Sequence, residues 1–377
     1  MLKPYLIIPR FIEQPTWGGT YIAGLKHWEN SPVLTGKKIG QSYELSGDIN
    51  LAKDITDTRS SEFQPEVTDA SGKPTTSESY LNLTELTQQD PETILGTNLK
   101  DHTVMPLLIK LNQAAGNSFQ LHVKPGQQHE RWQPKPESWY FLEDGYISCG
   151  VNPDKNVENY KKCCLAIEAL MKDLSQQVQA GTLTIAEARA KASDFITLEN
   201  PWQYINLFDV KKYDLIDLSE GGVHHSWEEN ANYPMGNVVY EVQLDVMDPY
   251  CTIRSFDQGK MKDDGSIREI HIEDYFTFIE TDKQKNDINY LKRTAENEKL
   301  LKTPYYSLDC VTITGNQQLT TENSFHHLYV RDGEIDVKAG ETVLHLTQGH
   351  SCFIPAGIKT YELISVTPES VVLKTYV

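Results

Sequence analysis

A chain of 377 residues is long enough for two or three folded domains at about 150 residues each, and with 39% apolar and 23% charged side chains it has neither a disordered nor a membrane composition. Its formal charge of -18 repels nucleic acid and anionic membranes, so a phosphorylated ligand needs a locally basic pocket inside an acidic envelope. No run of about 18 apolar residues occurs, and the first residues hold no apolar core of signal-peptide length, which gives the expectation of a cytoplasmic protein.

In chain order, residues 5–9 read as extended, followed by a turn at Trp17-Gly18-Gly19 and a second extended stretch at 42–45. Residues 54–78, rich in Ser, Thr, Asp and Pro, read as a long surface loop. Short apolar runs at 105–110, 118–123 and 138–142 supply strands of a first barrel. Between 156 and 193 the pattern changes. Tyr160, Cys163, Cys164, Ile167, Leu170, Met171 and Leu174 recur at three- and four-residue spacing, which predicts an amphipathic helix. Thr184-Ile185-Ala186-Glu187 is a capping box that opens a second one. Strand patterning returns at 238–244, where Val239, Glu241 and Gln243 share one face.

After a Lys- and Glu-rich connection, strands are predicted at 308–314, 327–330, 334–337, 342–346, 351–354 and 370–377, a spacing that suits a small sandwich or barrel. The turns around 220–224 and 349–357 look like one turn used twice, an internal repeat. The expected fold is therefore mainly β with a helical insertion. Its segments are 1–154 with 200–281, the insertion 155–199, and a C-terminal domain 282–377. The six cysteines form no CxxC pair, and Cys163 and Cys164 are adjacent, so all read as reduced core thiols.

Chemistry concentrates in a few segments. On a strand, Gln120 and His122 point to one side and Leu121 to the other. Lys135-Pro136-Glu137 places a carboxylate at the entrance of the aromatic strand that follows. Gly116 precedes His122 with five residues between, and Gly221 precedes His224 with two between; these spacings resemble the two histidine motifs of the cupin superfamily. Lys110, Lys124, Arg131, Lys135 and Arg254 cluster around these motifs and supply the basic pocket that an anionic ligand requires.

Several blocks, in order, resemble the type I mannose-6-phosphate isomerases. Trp17-Gly18-Gly19 is similar to the family's WGG, Ile39-Gly40-Gln41-Ser42-Tyr43-Glu44-Leu45-Ser46 to its IGExWELS, and Pro106-Leu107-Leu108-Ile109-Lys110 to the strand before its metal motif. Gln120-Leu121-His122 is similar to its QVHP, Lys135-Pro136-Glu137-Ser138-Trp139-Tyr140 to its KTExWY, and Gly221-Gly222-Val223-His224 to its AGTxHA. Glu241-Val242-Gln243 and Ile253-Arg254-Ser255-Phe256-Asp257 resemble its EIQQ and YRxYD.

The resemblance implies two cupin-like barrels of jelly-roll type. It implies one zinc ion per chain held by His122, Glu137 and His224, with Gln120 as fourth ligand. It also implies exchange of mannose 6-phosphate and fructose 6-phosphate by proton transfer between C1 and C2 through an enediol or enediolate, with Arg254 and Lys135 as catalytic residues and Lys124, Glu241 and Asp257 against the substrate. The general base stays open among Glu241, Asp257, Lys135 and a zinc-bound water. The implied partner is a small sugar phosphate, not nucleic acid or membrane, and the implied assembly is a monomer or homodimer.

The chain also departs from the family pattern. Val123 replaces the proline after the motif histidine, Gly222 the threonine of the later turn, and His225 its alanine; register favours His224 over His225 as ligand. Thr360 stands where a metal-binding cupin carries histidine, so the second barrel is expected to be metal-free, with His326 and His327 structural. Long segments at 156–193 and 227–236 can reshape the pocket for a different sugar or sugar phosphate. The rivals are a non-catalytic sugar-binding or regulatory cupin and an iron-dependent oxygenase.

Overall fold

The computed structural model describes residues 2–14, 17–68, 77–127, 129–221, 224–294 and 298–377, with backbone alone at 225–227. Part of the expected loop at 54–78, Gly222 and Val223 of the turn before His224, and the His225 side chain therefore lie outside the described residues. The fold is mainly β, and the chain forms two compact units.

One unit gathers Met1–Gln113, Val238–Asp245 and Arg293–Val377. Its largest sheet runs in the order Lys299–Lys302, Ser307–Ile313, Ser370–Tyr376, His326–Asp332, Ser351–Ile354, Tyr5–Ile8, Asn50–Ala52 and Tyr80–Asn82. A second sheet orders Asn316–Thr320, Thr360–Ser365, Ile335–Ala339 and Thr342–Leu346. Leu328, Val330, Val337, Leu346, Phe353, Leu363 and Leu373 are all buried, as the alternation of the predicted strands requires. The first strand of the chain lies against one of the last, with Tyr5 opposite Phe353 and Leu6 opposite Cys352.

This unit holds an ion pair removed from water. Lys26 Nζ lies 2.9 Å from Glu44 Oε1, the two side chains are 0% and 1% exposed, and the Gly349 carbonyl also accepts from Nζ. Ser42 Oγ donates to Glu44 Oε1 at 2.5 Å and Ser351 Oγ to Oε2 at 2.8 Å, so both carboxylate oxygens are satisfied. Burial pushes the Lys26 ammonium down and Glu44 opposes it.

Among the described residues, three histidines are buried here without a carboxylate partner. His326 Nδ1 and the Tyr361 hydroxyl lie 2.7 Å apart, His327 Nδ1 and the Tyr240 hydroxyl 3.2 Å apart, and His350 packs against Trp28 and Phe63. Burial pushes the His326 and His327 imidazoles down to about 3, far below their value in an unfolded chain. A depressed folded pKa means that stability is complete above about pH 6.5 and is lost as pH falls, because the unfolded state then binds the protons. Between pH 7 and 5.5 these two histidines should together cost about 2 kcal/mol. Denaturant titrations at both pH values check this, and His326→Gln should shrink the difference by about 1 kcal/mol, the share of one histidine.

The other unit comprises Ala114–Asn237 and Val246–Lys292. The predicted helices form as Val157–Gln179 and Ile185–Glu199, and the second opens on the expected capping box of Thr184 and Glu187. The buried helix residues Tyr160, Cys163, Cys164, Ile167, Met171, Ala188 and Ala192 pack with Phe119, Leu121, Ile253 and Phe256. The last four belong to a two-stranded ribbon, Phe119–Leu121 with Ile253–Phe256. Cys149, Cys163, Cys164, Cys251 and Cys352 are buried and Cys310 is half-buried. No helix among the described residues is long and apolar enough to cross a membrane.

Candidate metal centre

The ribbon sorts its side chains by face. Ile253 pairs with Leu121, and both go into the helix-packed core. Arg254 pairs with Gln120, and directly opposite residues in a sheet share a face, so the arginine and the glutamine lie together on the other side. His122 follows immediately after the strand. Glu137 opens the strand Glu137–Phe141, and His224 opens His224–Trp227, where it pairs with Cys149. The turn before His224 closes by a hydrogen bond from Gly221 N to Leu218 O, and Leu218 N donates in turn to the Glu137 carbonyl. Gly221 has φ +66°, and a Cβ there would stand 3.0 Å from the Val123 oxygen and 3.2 Å from that of His122. Only glycine lets this turn lie against the His122 backbone.

His122, Glu137 and His224 converge, with one ligand atom from each all within 4.8 Å of one another; no other group of three or more His, Cys, Asp or Glu does so among the described residues. The three are 0%, 1% and 0% exposed. His224 Nε2 lies 3.2 Å from Glu137 Oε1, and the two imidazole centres are 4.7 Å apart. The Cys251 carbonyl fixes His122 by accepting from Nδ1 at 2.6 Å. That leaves Nε2 on the side of Glu137, 3.7 Å from Oε2, with no hydrogen-bond partner among the described residues.

A buried ring nitrogen without a hydrogen-bond partner is costly unless a cation takes it, and two imidazoles with one carboxylate are a donor set that suits zinc. The residues present therefore fit such an ion. Lys135 Nζ sits 2.6 Å from Glu137 Oε2. Burial alone would raise the Glu137 carboxyl, but Lys135 and the two histidines hold it well below the usual carboxylate range, so it is ionised as a metal ligand must be.

The other residues singled out from the sequence are placed as follows. The Gln120 side-chain oxygen accepts from Ser118 Oγ at 3.0 Å. Arg254 is 7% exposed and its Nη2 donates to Asp248 Oδ2 at 2.5 Å, while its Nε has no hydrogen-bond partner among the described residues. Lys124 is ion-paired with Glu280, and Arg131 pairs with Glu269 while lying over the Trp132 ring. Asp257 pairs with Arg268 at 3.2 Å and lines a shallow cavity with Ile167, Met171 and Lys260 on the helix side of the ribbon. Glu241 belongs to the first unit, where Asn112 Nδ2 donates to it at 2.6 Å and Lys110 Nζ lies 3.3 Å away. Sequence reading did not single out Asp248 or the Cys251 carbonyl. The first stands six residues before Arg254, outside any helix or strand period, and the second is a backbone atom with no residue-type signature.

Residues 296–371 match the family model "Mannose-6-phosphate isomerase, cupin domain". Solved structures share the whole fold. The mannose 6-phosphate isomerase of Bacillus subtilis superposes with a TM-score of 0.64 at 17% identity, covering 99% of each chain. A single-residue variant of phosphomannose isomerase from Salmonella typhimurium gives 0.66 at 11% identity, again over 99% of each chain. A mannose 6-phosphate isomerase solved with zinc bound gives 0.64 at 13%, with the same coverage. No curated protein sequence matches the chain. At these identities the likeness is one of fold, and the fold is that of the mannose-6-phosphate isomerases.

Proposed function

We propose that this chain is a zinc-dependent aldose–ketose isomerase that interconverts mannose 6-phosphate and fructose 6-phosphate. The observation that carries the reading is the buried triad of His122, Glu137 and His224, with His122 Nε2 bare and its other nitrogen fixed, in a chain whose fold is that of mannose-6-phosphate isomerases. His122, Glu137 and His224 would hold the ion, with Gln120 as a fourth donor from the same face as Arg254. When bound, zinc supplies Lewis-acid stabilisation of the negative charge that develops as the carbonyl becomes an enediolate.

The chain's own residues do the rest. Arg254, held by Asp248 and largely withdrawn from water, offers an oriented cation whose interaction with an anionic transition state is strengthened by the low local dielectric. Lys135 keeps Glu137 ionised and adds positive charge beside the donors. Among the candidate bases, Lys135 stands next to the donor cluster, whereas Asp257 pairs with Arg268 on the helix side of the ribbon. Lys124 completes the proposal as a substrate contact. Of the expected division into 1–154 with 200–281, a helical insertion at 155–199 and a metal-free cupin-like segment at 282–377, the proposal keeps the insertion, formed by the paired helices, and a cupin segment over the family match at 296–371; the compact units cut across the rest, because 1–113 gathers with 293–377.

The test is a coupled isomerase assay on several sugar phosphates with metal analysis of the same sample. Mannose 6-phosphate should be turned over, a chelator should abolish turnover, and zinc should restore it. Arg254→Ala should lower kcat by about a hundredfold to a thousandfold, the range for losing one preorganised charge-stabilising group, with an unchanged melting temperature. Tight metal binding without turnover of any sugar phosphate would instead mark a non-catalytic sugar-binding protein.

A further inference from the structure

The short helix Asp248–Cys251, closed by a hydrogen bond from Thr252 N to the Asp248 carbonyl at 3.0 Å, touches the candidate site in two places. At its start, Asp248 Oδ2 accepts from Arg254 Nη2 at 2.5 Å, and Oδ1 accepts from Thr252 Oγ1 at 2.7 Å. At its end, the Cys251 carbonyl accepts from His122 Nδ1 at 2.6 Å. The two carboxylate oxygens thus go to different partners, and the hydroxyl that seats one of them belongs to the residue next to the carbonyl that orients the histidine. Cys251 and Thr252 are each 1% exposed, so this end of the turn is packed in place. The Asp248 side chain is 65% exposed, so its value to overall stability is small and its contacts are local.

We propose that Asp248 is a positioning residue that, through this single turn, sets the direction of the Arg254 guanidinium and the orientation of the His122 ring together. The inference rests on the reading of His122 as a metal ligand and of Arg254 as a group acting on the sugar phosphate. Its physical basis is that a ligand imidazole binds well only when its second nitrogen is held, and the atom that holds it here is carried by the turn that Asp248 pins at both carboxylate oxygens. A residue serving Arg254 alone would alter turnover and leave the metal untouched.

The experiment compares the wild-type chain with Asp248→Asn and Thr252→Val. Zinc affinity is measured on metal-stripped protein by competition with a chromophoric chelator, and kcat and KM are measured separately with mannose 6-phosphate. Asp248→Asn should weaken zinc binding about tenfold, the low end for a group supporting a metal ligand, and should lower kcat more than it raises KM. Thr252→Val should shift zinc affinity in the same direction by less, and it keeps the question open to refutation if the first variant does not fold. Wild-type zinc affinity in the folded variants overturns the proposal, whatever happens to kcat. If the wild type binds zinc but turns over no sugar phosphate, the isomerase reading fails by itself, and the zinc titrations still decide whether Asp248 acts on the metal site.

Discussion

Replacing His122 by alanine should, on the proposed reading, leave the protein without stoichiometric zinc and lower isomerase turnover by about a thousandfold or more, equivalent to about 4 kcal/mol of lost transition-state stabilisation. The expectation follows from how little redundancy the centre has. Three side chains, each at most 1% exposed, supply the donors, and His122 is fixed from behind by the Cys251 carbonyl. Truncating it leaves one imidazole and a carboxylate whose other neighbour is Lys135 Nζ at 2.6 Å, a set that holds the lysine better than an ion. Metal content by plasma emission spectroscopy and kcat/KM on the same sample provide the check. Full metal content with full activity in His122→Ala would remove the ligand assignment.

The second large effect is one of stability. Lys26→Met should destabilise the chain by about 3–5 kcal/mol, because it strands the Glu44 carboxylate in an interior where the ammonium was its charge partner. Methionine fills much the same volume, so the loss reports the uncompensated charge and not a cavity. Ser42 and Ser351 continue to donate to Glu44, but two hydroxyls do not replace a cation 2.9 Å away. Adding Glu44→Gln to Lys26→Met should recover part of the loss, since the orphaned charge is then gone. Denaturant midpoints for the single and double variants decide the matter; a single variant within 1 kcal/mol of the wild type would show that Glu44 is not buried as an anion.

What could be read before the structure was known was what local pattern encodes. Three- and four-residue spacing from Tyr160 to Leu174 marks a helix face, and Thr184 with Glu187 marks a helix start; both form as the pattern requires. Strand alternation separated Leu121 from Gln120, and the ribbon shows the reason: one goes to the helices, the other lies across from Arg254. His122, Glu137 and His224 were singled out by motif, and they converge in space. What was not legible depends on partners far away in the chain. Nothing near Tyr5 says that it pairs with Phe353, and nothing near Lys26 says that it will be sealed against Glu44 and Gly349. His122 takes its orientation from a backbone oxygen 129 residues away, and every residue type carries one.

The two-faced ribbon has a consequence for inheritance of damage. Phe119, Leu121, Ile253 and Phe256 rest on the helices while Gln120 and Arg254 lie on the other face, so the helical pair is the bed on which that face is laid. Protein interiors transmit volume changes because they are close-packed, so a lost methyl group at Ile167 or Met171 is felt at the opposite surface of the ribbon. Conditional alleles of this protein, active when cool and silent when warm, should therefore gather in the two paired helices as well as around His122, Glu137 and His224.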